Sequence, residues 1–203
     1  MRRLIDITLS ILILTVLSPL LIIVAVLIAL ESAGSPLYPA PRAGQNGKRF
    51  LMWKFRTMVL NAAKLGPAVT GNQDSRITRL GSMLRKTKID ELPQFVNVLK
   101  GDMTLVGPRP ESPGIVEQYS DRQRLVLLAK PGVTGKVQLE SGEESDSIPA
   151  GVDAEKYYIE YLMDQKIQAD LAYLEKRTAL SDTQIVFSTV SYVFRAAASA
   201  RHR

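Results

Sequence analysis

The chain has 203 residues, a net charge of +6, no cysteine and one histidine, His202, in the terminal tail. These counts exclude disulfides, thiolate metal sites and cysteine nucleophiles, and they leave Asp and Glu as the acids, bases or metal ligands. The basic balance suits nucleic acid, an anionic membrane surface or phosphorylated substrates, and does not choose among them.

Residues Leu4 to Leu30 carry a single charge, Asp6. A cleaved secretory signal would explain Arg2 and Arg3 at the start and Ser32, Ala33 and Gly34 after the run. Its apolar core is usually only ~7–15 residues, however. A spanning helix needs ~20 apolar residues, which the run supplies. The remaining reading is a re-entrant helix that enters and leaves on one face. Ser18 and Pro19 lie near the middle, where proline removes a backbone hydrogen bond and kinks the helix. The Ser18 hydroxyl is placed to bond a nearby carbonyl and compensate. Arg2 and Arg3 flank one end, and Arg42, Lys48, Arg49, Lys54 and Arg56 follow the other, so positive-inside bias favours the cytoplasm for both. By physics alone, a kinked spanning helix and a re-entrant helix stand even.

Pro36, Pro39, Pro41, Gly44 and Gly47 mark residues 31–48 as a loop. Phe50 to Met58 reads as a strand leading into a basic cluster, and Gly66 to Ser75 as a polar loop. Ile77, Leu80 and Leu84 share a helical face, with Arg76, Arg79, Arg85, Lys86 and Lys88 around the rest. Such a basic amphipathic helix suits an anionic membrane surface, and a solvated face on an ordinary helix gives the same pattern. Leu92, Phe95, Val96 and Leu99 form a clean helical stripe that Gly101 ends. Met103 to Val106 is a short strand, followed by Gly107-Pro108-Arg109-Pro110. Residues 114–129 read as helical, Pro131-Gly132 as a turn, Lys136 to Leu139 as a strand and the acidic 140–152 as a loop. Asp153 caps a long helix to about Arg177. Ser181 and Gln184 form a capping box for a last helix, whose apolar face is Ile185, Val186, Thr189, Val190, Val193 and Phe194.

The stretch from Lys88 to Glu111, KIDELPQFVNVLKGDMTLVGPRPE, carries the chemistry. Asp90 occupies an N-cap position, and Pro93 falls in the first turn, where its missing N–H costs nothing. Asp90 and Glu91 then stand at the positive end of a helix dipole, and each alone is an ordinary capping residue. Helix N-termini also attract phosphate. Arg85, Lys86 and Lys88 precede the two acids, and Arg109, held between prolines, is rigid enough for bidentate phosphate binding. Carboxylates converging with arginines fit phosphoryl transfer assisted by Mg2+. Asp is a nucleophile type for covalent phosphate intermediates, and Mg2+ takes one or two carboxylates plus phosphate oxygens and water.

The segments KFRTM (54–58), DSRITRLGSMLRKTKIDELPQFVNVLKGDMTLVGPRPE (74–111) and KPGVTG (130–135) resemble the bacterial sugar transferase family of monotopic phosphoglycosyl transferases. The resemblance runs from the N-terminal apolar helix to about Asp170, and is to the small form that is only the catalytic unit. It implies an α+β fold with a re-entrant membrane helix broken at Ser18-Pro19 (1–31), amphipathic interfacial helices and a compact, mainly helical cytoplasmic domain with a few short strands (32–180), ending in an amphipathic helix and tail (181–203). It implies that Asp90 attacks the β-phosphate of a UDP-sugar, that UMP leaves, and that polyprenyl (undecaprenyl) phosphate then takes the sugar phosphate. By the same resemblance Asp90, Glu91 and Arg109 are catalytic, Asp90 and Glu91 hold Mg2+, and Lys54, Arg56 and Arg85 bind substrate. The implied place is the bacterial inner membrane, monotopic, with membrane lipid as a partner and a homodimer left open. A nucleic-acid role lacks the interleaved aromatics of a stacking platform. Two stretches depart from the family: the residues before Arg42 and Gly44 are unusually proline-rich, and acidic KVQLESGEES follows Gly135 where many members end in an arginine. The second leaves donor contacts open. A membrane-anchored, non-catalytic module whose basic face binds lipid headgroups or a partner assembly is the alternative from another class.

Overall fold

A computed structural model describes residues 2–66, 74–141, 147–149 and 151–200. Residues 67–73 of the expected polar loop, 142–146 and 150 of the expected acidic loop, and the tail with Arg201, His202 and Arg203 lie outside the described residues.

Helices α1 (Arg2–Val16) and α2 (Ser18–Glu31) meet at a 61° bend. Pro19 lacks the N–H that would reach the Thr15 carbonyl four residues back. The Ser18 hydroxyl donates to that same carbonyl at 2.8 Å. No single helix among the described residues is long and apolar enough to cross a membrane, whereas the bent pair together has the length and composition. Leu4, Leu12 and Val16 of α1 and Ile22, Val26 and Leu30 of α2 are exposed. The other face of α1 is docked. Asp6, the one charge in the apolar run, is buried and accepts from Thr104 Oγ1 at 2.8 Å and from the Leu105 amide at 3.3 Å. Arg3 donates to the carbonyls of Val98 and Leu99.

The region expected to be a loop is instead strand β1 (Leu37–Ala43), paired antiparallel with β2 (Arg49–Phe55). Pro39 and Pro41 are two residues apart, so their missing N–H groups fall on one side of the strand. An edge strand tolerates this when that side faces away from its partner. Helix α3 (Arg79–Lys86) is capped by Thr78, whose hydroxyl accepts from the Gly81 amide. Its Leu84 packs on Val24 and Ile28 of α2 and on Phe55. Gly81 is needed for this approach, since a Cβ there would lie 2.1 Å from the Thr57 carbonyl oxygen.

Helix α4 (Gln94–Lys100) ends at Gly101 with φ of 92°, as its position predicts. Strands β3 (Thr104–Val106) and β4 (Gly132–Thr134) pair in parallel. The second strand was expected at Lys136 to Leu139, but those residues are in helix α7, and the Pro131-Gly132 turn leads straight into β4. Between the strands, the expected single helix is broken into α5 (Pro113–Glu117), α6 (Asp121–Arg124) and a 3-10 turn over Leu125–Leu128, before α7 (Lys136–Ser141). Asp153 caps α8 (Ala154–Tyr157), which runs through a π-turn into α9 (Met163–Glu175).

The last helix, α10 (Ala179–Ala200), starts earlier than expected. Its cap is a reciprocal Thr178–Ser181 pair, in which each backbone amide donates to the other side-chain oxygen, rather than Ser181 with Gln184. One face joins the core through Ile185 and through Thr189, whose hydroxyl meets that of Thr134 at 2.7 Å. Leu180, Phe187 and Val190 are exposed. The result is a mixed, mainly helical fold with two small sheets among the described residues.

Candidate active site

Asp90 and Glu91 lie in a 3-10 turn, Ile89–Glu91, that precedes α4. Asp90 is not the N-cap its position suggested: Pro93 occupies that place, without a side-chain cap. The turn is entered through Lys88 with φ of 59°, a left-handed conformation uncommon for a side chain of this kind. That twist carries Asp90 inward, where it is 6% exposed. Its Oδ1 is buried with no hydrogen-bond partner among the described residues.

Glu91 is the centre of a charge cluster. Its Oε1 accepts from Lys54 Nζ at 2.8 Å and from Arg109 Nη2 at 2.9 Å. Lys54 is set by β2, which α4 grips through the fully buried Asn97. That side chain accepts from the Trp53 amide at 2.9 Å and donates to the Leu51 carbonyl at 2.7 Å. Arg109 follows β3 on a loop pinned by two backbone bonds, Gly107 N to Thr134 O and Gly132 N to Pro108 O, both 2.9 Å. The two glycines allow it, since a Cβ on Gly132 would lie 2.1 Å from Gly107 N.

These surroundings push the two carboxylates apart. Burial drives Asp90 up to about 6, against the pull of Lys54, and the neighbouring Glu91 charge adds to the rise. Burial also opposes charge on Glu91, but Arg109, Lys54 and Lys88 outweigh it and hold that carboxyl well below the usual range. Burial lowers Lys54 and Lys88, with Glu91 resisting in both cases.

A cavity of about 370 Å³ opens on this cluster. Lys88, Glu91 and Arg109 line one part of it. Ile13 and Leu17, at the end of α1, and Val190 and Val193 of α10 give it an apolar wall. Gln138 of α7 and Glu111, Tyr158, Lys166 and Asp170 add further polar side chains to its lining.

The residues singled out from sequence separate into two groups. Asp90, Glu91, Arg109 and Lys54 come together. Arg85 belongs with them through its charge on Asp90, and its Nε donates to Thr57 Oγ1 at 2.9 Å. Arg56 points elsewhere: its buried guanidinium donates to the carbonyls of Ser32 and Ala33 just past α2. There it neutralises the negative end of the helix dipole. Sequence reasoning missed Gln138, Tyr158, Lys166 and Asp170. The one local signal for the last two is their i, i+4 spacing on α9.

No group of three or more His, Cys, Asp or Glu side chains among the described residues is placed to hold a metal. The adjacent carboxylates of Asp90 and Glu91, one with an orphaned buried oxygen, suit an ion that draws its remaining ligands from phosphate and water, as Mg2+ does.

The model of the family described as bacterial sugar transferase matches residues 1–196. The chain is 35% identical, over 93% of its length, to a UDP-N-acetylgalactosamine-undecaprenyl-phosphate N-acetylgalactosaminephosphotransferase of Aeromonas hydrophila, of which it covers 42%. It is 38% identical, over 94% of its length, to a UDP-glucose:undecaprenyl-phosphate glucose-1-phosphate transferase of Escherichia coli K12, of which it covers 39%. It thus spans about two-fifths of the length of these relatives. To the exopolysaccharide production protein PSS of Rhizobium leguminosarum bv. phaseoli it is 36% identical, over 94% of its own length and 93% of that protein. With a match that reaches from the bent helix pair through both acids to α10, the chain belongs to the bacterial sugar transferase family, a family of transferase enzymes.

Proposed function

We propose that the protein transfers a sugar 1-phosphate from a UDP-sugar to undecaprenyl phosphate, through a covalent intermediate on Asp90. The observation that carries the reading is the buried, unpartnered Asp90 Oδ1 beside a Glu91 held anionic by Lys54 and Arg109. The names of the relatives supply the donor and acceptor classes.

In the first step an Asp90 carboxylate oxygen attacks the β-phosphorus of the donor. The bond from that phosphorus to the bridging oxygen breaks, and UMP leaves with the electron pair. In the second step an oxygen of the acceptor phosphate attacks the same phosphorus. The Asp90 acyl-phosphate bond breaks, the carboxylate is restored and the product is a polyprenyl-diphosphate sugar. Burial makes Asp90 a more basic nucleophile than an ordinary aspartate. Arg109 and Lys54 place positive charge where phosphate oxygens gather charge in the transition state. Asp90 and Glu91 would hold a Mg2+ ion, which supplies further neutralisation of the pyrophosphate.

The helix pair supports a monotopic place at the bacterial inner membrane, with residues 1–31 re-entrant and the catalytic residues 32–180 on the cytoplasmic side. Its outward apolar side chains form a lipid-facing surface, while Arg3 and Arg56 tie its two ends to one body. Reporters fused before Met1 and after Arg203 are expected on the same, cytoplasmic side. Opposite sides would mean a spanning helix.

The chemical test is intact-protein mass measurement after mixing with a UDP-sugar and Mg2+ without acceptor. A single phosphosugar adduct is expected, with one equivalent of UMP. Turnover without any adduct would establish direct transfer in a ternary complex instead.

A further inference from the structure

The cavity has more polar lining than phosphoryl transfer uses, and the charges around Glu91 and around Asp170 come from different residues. Three cations, Lys54, Lys88 and Arg109, converge on Glu91 and suit a pyrophosphate. The part lined by Glu111 and Asp170 would repel one. Two side chains there are uncommitted. The Gln138 Nε2 is buried with no hydrogen-bond partner among the described residues. The Asp170 carboxylate makes no hydrogen bond among them, and its neighbours Lys166 and Glu111 act on it through charge. Glu111 and Lys166 are engaged with the same tyrosine: the Tyr158 hydroxyl donates to Glu111, and Lys166 Nζ lies 5.2 Å from the centre of the Tyr158 ring. The helices that carry the free pair, α7 and α9, pack on each other.

The buried Gln138 amide donor leaves an energetic deficit that a ligand can fill, and the half-buried Asp170 carboxyl offers that ligand an acceptor. The ligand must be neutral where it meets Asp170 and must both donate and accept hydrogen bonds. A nucleotide sugar has such a part next to its pyrophosphate, namely the hydroxylated ring. We propose that Gln138 and Asp170 hold the ring hydroxyls of the donor sugar and so select which sugar is transferred. Burial pushes the Asp170 carboxyl up to about 7, which lets it donate as well as accept near neutrality and fits a hydroxyl partner. Sites that hydrogen-bond a substrate hydroxyl reject analogues that cannot make the bond, because the buried groups are then left unpaired. The inference rests on the transferase reading for the identity of its ligand.

The test uses the full chain in detergent with a panel of UDP-sugars and UMP. Binding is measured by calorimetry, and UMP release is followed in parallel. For Asp170→Asn and Gln138→Ala the expected result is weaker binding of the preferred UDP-sugar by about tenfold or more, or a changed ranking among sugars. UMP affinity should stay within about twofold of wild type, since UMP lacks the ring. Both variants keeping the wild-type ranking and affinities would overturn the proposal. So would a parallel loss of UMP affinity, which would assign the pair to the nucleotide. A wild-type protein that binds UDP-sugars selectively but transfers none would sink the transferase reading and leave this one standing. Failure of the wild type to bind any UDP-sugar would overturn both.

Discussion

Two pairs of carboxylates lie at or beside one cavity, which Glu91, Glu111 and Asp170 line, and they are kept in opposite ways. Asp90 and Glu91 are adjacent in sequence, sit in a tight 3-10 turn and are surrounded by cations. Glu111 and Asp170 come from distant segments, and the charge facing Asp170 is Lys166 together with the like charge of Glu111. The first arrangement holds one acid ionised and leaves the other a buried, poised oxygen. The second leaves a carboxyl whose charge is disfavoured. Similar side chains in one chamber thus divide the work through their neighbours, one pair suited to phosphate chemistry and the other to neutral hydroxyls.

The sharpest way to break this comparison is to remove the same carboxylate oxygen from each pair. Asp90→Asn should abolish the phosphosugar adduct and lower turnover on the order of 10⁴-fold or more, with the protein still folded and membrane-bound. Asp170→Asn should retain adduct formation with at least one donor. An adduct that survives Asp90→Asn would move the nucleophile elsewhere. Next in size is the cation frame. Arg109→Ala or Lys54→Met should each slow adduct formation by about 10²–10³-fold, the usual cost of losing one donor to a developing charge. Single-turnover UMP release measures this, and unchanged rates would leave these residues a purely structural role on Glu91.

A smaller effect concerns stability and its sign. The folded pKa of Asp170 is near 7, above the ~4 of an unfolded aspartate. Between these values the folded state binds more protons, so this group makes the fold less stable as pH rises from about 4 to 7, with no further loss above. Lys166 and Glu111 face the carboxyl and pull in opposite directions. Asn removes the titration. The thermal midpoint of Asp170→Asn should therefore exceed wild type by a margin that widens from pH 4 to 7 and is flat beyond. A margin that narrows with rising pH would show that Lys166 dominates and that Asp170 is an ordinary ion-pair partner.

The dyad was legible because its residues are contiguous and its basic companions flank it in sequence. Its conformation was not: Asp before a proline reads as an N-cap, but the left-handed Lys88 turns Asp90 into the interior. Strand β1 was missed because Pro39 and Pro41 argue against a ladder, and only pairing with β2 shows that their missing donors fall on one side. Val137 and Leu139 alternate like a strand, yet over four residues that pattern does not distinguish strand from helix, and β4 already occupies the parallel position beside β3. Gln138 had no signal at all and Asp170 only its i, i+4 spacing from Lys166, because the cavity that gives them meaning is assembled from many separate segments of the chain.

The bent helix pair gives the smallest effect and tests whether the chamber depends on its roof. Leu17, at the bend, lines the cavity together with Ile13, so the angle between α1 and α2 shapes a wall of the chamber that Glu91, Glu111 and Asp170 also line. Three things hold that angle. Pro19 prevents the helix from closing, Asp6 and Arg3 fix α1 to the body, and the Ser18 hydroxyl occupies the orphaned Thr15 carbonyl. The first two survive in Ser18→Ala. That variant should lose only the net worth of one hydrogen bond, about 0.5–1.5 kcal/mol, read as a slightly lower thermal midpoint in detergent. Its adduct yield and its ranking of UDP-sugars should match wild type. A changed ranking with an intact adduct would show that the bend acts on the sugar end of the chamber alone. Loss of the adduct would mean that the serine, and not the docked face of α1, sets the position of the wall.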